Sequence, residues 1–114
     1  MPQRDLSYLT DIIQAGKQIQ EFIQHVDKKK FEGSSLIQSA VIRQLEIIGE
    51  ATKRLSESLK SANPEIPWKK ITGMRDILIH AYDHVDVNEV WNVAKTSMPP
   101  LVLQIEHILS ALDE

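Results

Sequence analysis

Residues 34–60, SSLIQSAVIRQLEIIGEATKRLSESLK, place apolar side chains at Ile37, Val41, Leu45, Ile48, Leu55 and Leu59. Steps of three, four and seven put these six on one stripe of a helix. A second set, Leu36, Ala40, Ile47 and Ala51, widens the stripe, so this helix is expected to face two neighbours, its own bundle and a partner chain. Upstream, Leu9, Ile12, Gly16, Ile19, Ile23 and Val26 recur at the same steps, so the first 27 residues predict one long helix. Asp27 to Ser35, with three lysines and Gly33, reads as the connecting loop.

Downstream, Pro64 and Pro67 mark a break, and Pro67 suits the first position of a short helix. Trp68 to Ile71 predicts one turn, Thr72-Gly73 an interruption, and Met74 to Tyr82 a further short helix. Asp86 and Glu89 resemble a capping box that starts another helix near Val87. Pro99 and Pro100 cannot donate amides and predict a kink or restart before the stripe Leu101, Ile105, Ile108 and Leu112. Few runs alternate with period two, and none makes a convincing strand. The expectation is an all-α, up-and-down bundle of four to five helices in a single domain spanning residues 1–114, paired as a homodimer.

The 114 residues are 42% hydrophobic and 25% charged, the mixture of an ordinary globular domain. Cysteine is absent, which removes disulfides, thiolate metal sites and cysteine nucleophiles. Met-Pro-Gln-Arg-Asp at the start lacks the apolar core of a secretory signal, and no run is long enough to cross a membrane, so a cytoplasmic location is expected. The net charge of −3 excludes a general electrostatic grip on nucleic acid. Any contact with RNA or DNA must come from a local patch, for which Lys28-Lys29-Lys30, Lys53-Arg54, and Lys69-Lys70 followed by Arg75 are the candidates.

Chemistry-bearing residues concentrate in Met74-Arg75-Asp76-Ile77-Leu78-Ile79-His80-Ala81-Tyr82. At about 100° per residue, Arg75 and Tyr82 fall on nearly one face, Asp76 and His80 sit a turn apart, and His80 lies about 140° from Arg75. Arg75 must therefore reach around, or a second subunit must complete the site.

The spacing Arg-x4-His-x-Tyr, filled by Arg75, His80 and Tyr82, resembles the signature of the HEPN superfamily and, within it, of the HepT-like toxins. Leu45-Glu46-Ile47-Ile48-Gly49-Glu50-Ala51 and the approach Ile66-Pro67-Trp68-Lys69-Lys70-Ile71 extend the resemblance over nearly the whole chain. It implies a metal-independent endoribonuclease, with no cofactor, acting as the toxin of a toxin–antitoxin pair and built as a homodimer whose two motifs line one cleft. The implied catalytic residues are Arg75 and His80, with Asp76 in support. The implied partners are an RNA substrate, transfer or messenger, and a small MntA-like nucleotidyltransferase antitoxin that adds AMP to Tyr82; neither DNA nor membrane is implied. One position departs from the family pattern: Asp76 stands where asparagine is frequent. An aspartate there can orient His80, and it can also neutralise part of Arg75's charge.

Plainer readings exist for each residue. His80 alone reads as a helix histidine satisfied by Asp76, Arg75 alone as a structural ion pair, and Tyr82 alone as an amphipathic helix-end aromatic. Asp76, His80 and His84 have the spacing of a metal face, but nothing in the sequence completes a hydrolytic metal site, and no metal is expected. Glu46 and Glu50 fall within reach of Arg43 and Arg54 and read as a charge ladder, while Trp68 and Trp91 read as packing anchors. The rival function is a non-catalytic helical dimer that binds a nucleotide or a nucleotidyltransferase.

Overall fold

A computed structural model describes the backbone of residues 3–79 and 86–112, and the side chains of residues 4–73 and 86–112. Every element in these residues is helical. In chain order they are α1 (Gln3–Phe22), α2 (Lys28–Glu32), α3 (Ser35–Arg54), α4 (Glu57–Ala62), α5 (Trp68–Ile79), α6 (Val87–Asn92), a π-helical turn (Val93–Ser97) and α7 (Met98–Leu112). The all-α expectation is met, with α1, α3, α5 and α7 forming the body and short helices turning the corners between them.

The core follows the stripes in the sequence. Leu9, Ile12 and Ile19 of α1 meet Val41, Leu45 and Ile48 of α3, and all six are at most 1% exposed. Ile105 of α7 closes the same layer. α1 packs along both α3 and α7, and α5 packs on α3. At Gly16, α1 and α7 approach closely: a Cβ built there would collide with Val102 Cγ2. A side chain on Gly16 would therefore push the two helices apart.

Several boundaries differ from the sequence expectation. The first helix ends at Phe22 rather than near residue 27, and His25 turns the chain with φ 64°. The stretch expected as loop holds α2, because Asp27 accepts a bond from the Lys30 amide at 2.7 Å and Phe31 is fully buried. The helix expected to run to Lys60 stops at Arg54. There Asp5, buried in α1, accepts from the Ser56 amide at 2.9 Å and from Ser56 Oγ at 2.6 Å. Ser56 in turn caps α4. A contact between residues 51 apart in sequence thus outcompetes the helical periodicity.

The interruption expected at Thr72-Gly73 is absent. α5 runs unbroken through both residues, because its packing on α3 outweighs the weak helix propensity of one glycine, about 1 kcal/mol relative to alanine. At Pro99 and Pro100 the chain does not restart: the helical run from 87 to 112 is unbroken, with Asn92 and Met98 both in the right-handed helical region, and a π turn stands just before the prolines. The Met98 amide reaches back five residues to Val93 O, a widening that accommodates two residues with no amide to donate.

Candidate active site

The Pro-Trp approach to the motif works as an anchor. Trp68 is 9% exposed, and its indole N–H is shared between the carbonyls of Lys60 at 3.1 Å and Asn63 at 2.9 Å. The Ile71 amide donates to Pro67 O at 3.1 Å, so Pro67 opens the helical ladder at a place where its own missing amide costs nothing. Ile66 and Ile71, both buried, press the start of α5 into the core. The register of everything downstream on α5 is fixed from this point.

Arg75 and Asp76 are consecutive residues of α5, about 10 Å of helix rise beyond Trp68. His80 and Tyr82, with His84 of the alternative metal face, lie outside the described residues, and so do the side chains of Arg75 and Asp76. Among the described residues no group of three or more His, Asp or Glu side chains is gathered for a metal.

The chain after the motif is anchored a second time. Asp86 Oδ1 accepts from the Glu89 amide at 3.2 Å, the N-terminal half of the expected capping box, and α6 begins at Val87. Trp91 is 8% exposed and packs at a tilt against Phe31 of α2, ring centroids 5.1 Å apart, with Lys95 Nζ 5.9 Å from the centroid of the Trp91 ring. Both tryptophans are packing anchors, as expected, and they hold the segment that carries the motif from its two ends.

The family stretch on α3 divides by face. Leu45, Ile48, Gly49 and Ala51 are buried, while Glu46 and Glu50 line a cleft of about 340 Å³ between α1 and α3 with Tyr8, Asp11, Arg43 and Arg54. Arg54 Nε donates to Glu50 Oε1 at 2.9 Å, and Arg43 lies 3.9 Å from Glu46. The Glu50 carboxylate, with a smaller share from the Tyr8 hydroxyl, raises the Arg54 pKa further above its ordinary value. The two glutamates form the charge ladder that the sequence suggested.

With the motif helix in place, comparison with known proteins decides the family. The family model described as "Ribonuclease HepT-like" matches residues 12–108. This chain belongs to the HepT-like ribonuclease family. Among HepT-like relatives, the protein named "Putative RNase MJ0125" from Methanocaldococcus jannaschii is 40% identical over 100% of this chain and 99% of its own. The protein named "Probable ribonuclease HepT" from Thermococcus cleftensis is 42% identical over 95% of this chain and 98% of its own. The protein named "Putative RNase MJ1216" from M. jannaschii is 37% identical over 99% and 94%. No solved structure gives a significant match. The enzyme class of this HepT-like chain is therefore ribonuclease, and no helix among its described residues is long and apolar enough to cross a membrane.

Sequence reading missed two features near the motif. Lys60 comes beside α5 only because α4 folds back under Trp68, a contact that no local pattern announces. Gly73, expected as a break, lies three and four residues after Lys70 and Lys69, an offset that places it on a helix face with both.

Proposed function

We propose that this HepT-like chain is a metal-independent endoribonuclease that cleaves RNA by attack of a ribose 2′-hydroxyl on the adjacent phosphate. His80 takes the 2′-hydroxyl proton, for which an unperturbed pKa of about 6.5 suits an imidazole at neutral pH. The 2′-oxygen then bonds to phosphorus while the bond to the 5′-oxygen breaks. The departing oxygen takes up a proton, leaving a cyclic phosphate and a 5′-hydroxyl. Arg75, always protonated, offers forked donors to the phosphorane oxygens where negative charge accumulates. Asp76, one helical turn before His80, orients the imidazole. Only RNA supplies the nucleophile, so DNA is not a substrate.

The observation that carries this reading is family membership, together with an intact Arg75, His80 and Tyr82 on a segment anchored at both ends by a buried tryptophan. A homodimer that completes the cleft belongs to the same reading. What supports it is the outer face of α3, where Leu36 is 80% exposed and Ala40 and Ile47 are half-buried. The chain acts as a toxin, and a nucleotidyltransferase antitoxin silences it by attaching AMP to Tyr82, where a bulky anion would compete with RNA phosphate for Arg75. Intact mass after co-expression with such an antitoxin tests the last point: the expected gain is one AMP on Tyr82, and an unmodified chain or an adduct elsewhere removes it from the account.

The experiment for the central reaction mixes purified protein with RNA in EDTA. Fragments ending in cyclic phosphate, lost in His80→Ala and in Arg75→Ala, are the expected result. Intact RNA would turn the reading to a non-catalytic helical dimer.

A further inference from the structure

A chain of net charge −3 can hold a polyanion only where basic side chains outnumber carboxylates locally. The three basic clusters differ in this respect. Arg54 is committed to Glu50, and Lys28 to Lys30 cluster on α2, a separate short helix before α3. Lys69 and Lys70 stand exposed on the first turn of α5, the helix that carries Arg75, and have no ion-pair partner among the described residues. They open on a broad groove of about 1070 Å³ whose other walls include Glu57, Lys60, Trp68 and Gly73. Lys60 and Glu57 lie 3.9 Å apart and largely offset each other, so Lys69 and Lys70 set the sign of the groove.

Gly73 adds an independent observation. It lies inside α5, where glycine is a poor helix former, and its exposure is intermediate. Gly16 has a packing reason to lack a side chain, because Val102 fills the space. At Gly73 no described atom lies within 4 Å of where a Cβ would stand. Among the described residues the bare backbone thus faces the groove rather than a neighbouring helix, the arrangement that lets an outside chain come close. Lys69, Gly73 and Asp76 follow one another at steps of four and three along a single face of α5, over about 10 Å, and a further step of four in the sequence reaches His80.

We infer that Lys69, Lys70 and the exposed backbone at Gly73 form the seat for the RNA backbone next to the scissile phosphate. The two lysines take phosphates, and Gly73 lets the strand lie against the helix. This rests on the nuclease reading and adds to it where the substrate strand runs. The seat reads phosphate rather than base, because Trp68, the aromatic residue in the groove wall, is buried with its N–H turned inward to Lys60 and Asn63.

The test measures cleavage and equilibrium binding of a single-stranded RNA at several salt concentrations. In the double variant Lys69→Gln, Lys70→Gln, KM should rise about tenfold with kcat retained, and the salt slope of binding should fall by about 1.4 for two lost phosphate contacts. The control Lys28→Gln, Lys29→Gln should leave both unchanged. Gly73→Ala should raise the melting temperature and at the same time raise KM, a combination that a purely structural glycine would not give. If the unmodified protein cleaves RNA and the Lys69, Lys70 variant keeps its KM and salt slope, the seat is wrong and the nuclease reading stands. RNA that is bound through Lys69 and Lys70 but never cleaved would uphold the seat and overturn the nuclease. Absence of both binding and cleavage would overturn both.

Discussion

Gly16 and Gly73 sit inside α1 and α5, and they do opposite things. Gly16 is consumed by the scaffold: Val102 occupies the place of its missing side chain, and α1 and α7 close over it. At Gly73 no described atom stands near the place of a Cβ, and the groove there is flanked by Lys69 and Lys70, which have no ion-pair partner among the described residues. Elsewhere the layer between α1, α3 and α7 is a continuous cluster of buried apolar side chains, whereas the first half of α5 packs one face on α3 and presents the other outward. A glycine justified by its neighbours reports on stability; one without such neighbours reports on what arrives from outside.

The contrast can be broken most severely on the functional side. Arg75→Ala should lower RNA cleavage about 10³-fold, the scale of losing one donor aimed at transition-state charge, while the thermal midpoint moves by no more than about 2 °C. Comparable losses in folding and in activity would mean that Arg75 belongs to the scaffold. On the scaffold side, Gly16→Ala should cost about 2 kcal/mol in denaturant unfolding, because the added methyl forces Val102 or the helix pair to move. An unchanged midpoint would show that α1 and α7 can part freely. Asp5→Ala should cost about 1.5 kcal/mol by stranding the Ser56 amide and hydroxyl and freeing the start of α4. The smallest effect carries the opposite sign: Gly73→Ala should stabilise the fold by about 0.5 to 1 kcal/mol, read from the same unfolding curves. Destabilisation there would reveal an internal contact and erase the difference between the two glycines.

Which of these features the sequence disclosed follows a physical line. Helix faces were legible, because burial of Leu9, Ile12, Val41, Leu45, Ile48 and Ile105 imposes a period on the residues themselves. The Asp86 cap and the role of Pro67 were legible because they act within a few residues. The stop at Ser56 was not, since its cause is Asp5, half the chain away and itself buried against expectation for a carboxylate. The continuity of α5 through Gly73 was hidden for the same reason, as packing on α3 overrides a local preference. Lys69 and Lys70 were visible as a charge cluster, whereas Arg75, Asp76, His80 and Tyr82 were singled out by spacing and family likeness alone, and their side chains lie outside the described residues. The groove that gives those lysines a use depends on Lys60 and Trp68 meeting through α4, which only folding supplies.

The measurement closest to the central claim is the chemistry of the cut ends. Purified chain and a defined RNA are incubated in EDTA, and the fragments are resolved by mass. The account predicts 2′,3′-cyclic phosphate and 5′-hydroxyl ends, abolished in both His80→Ala and Arg75→Ala. Cleavage that survives either substitution, or RNA left whole by a properly folded protein, would contradict it.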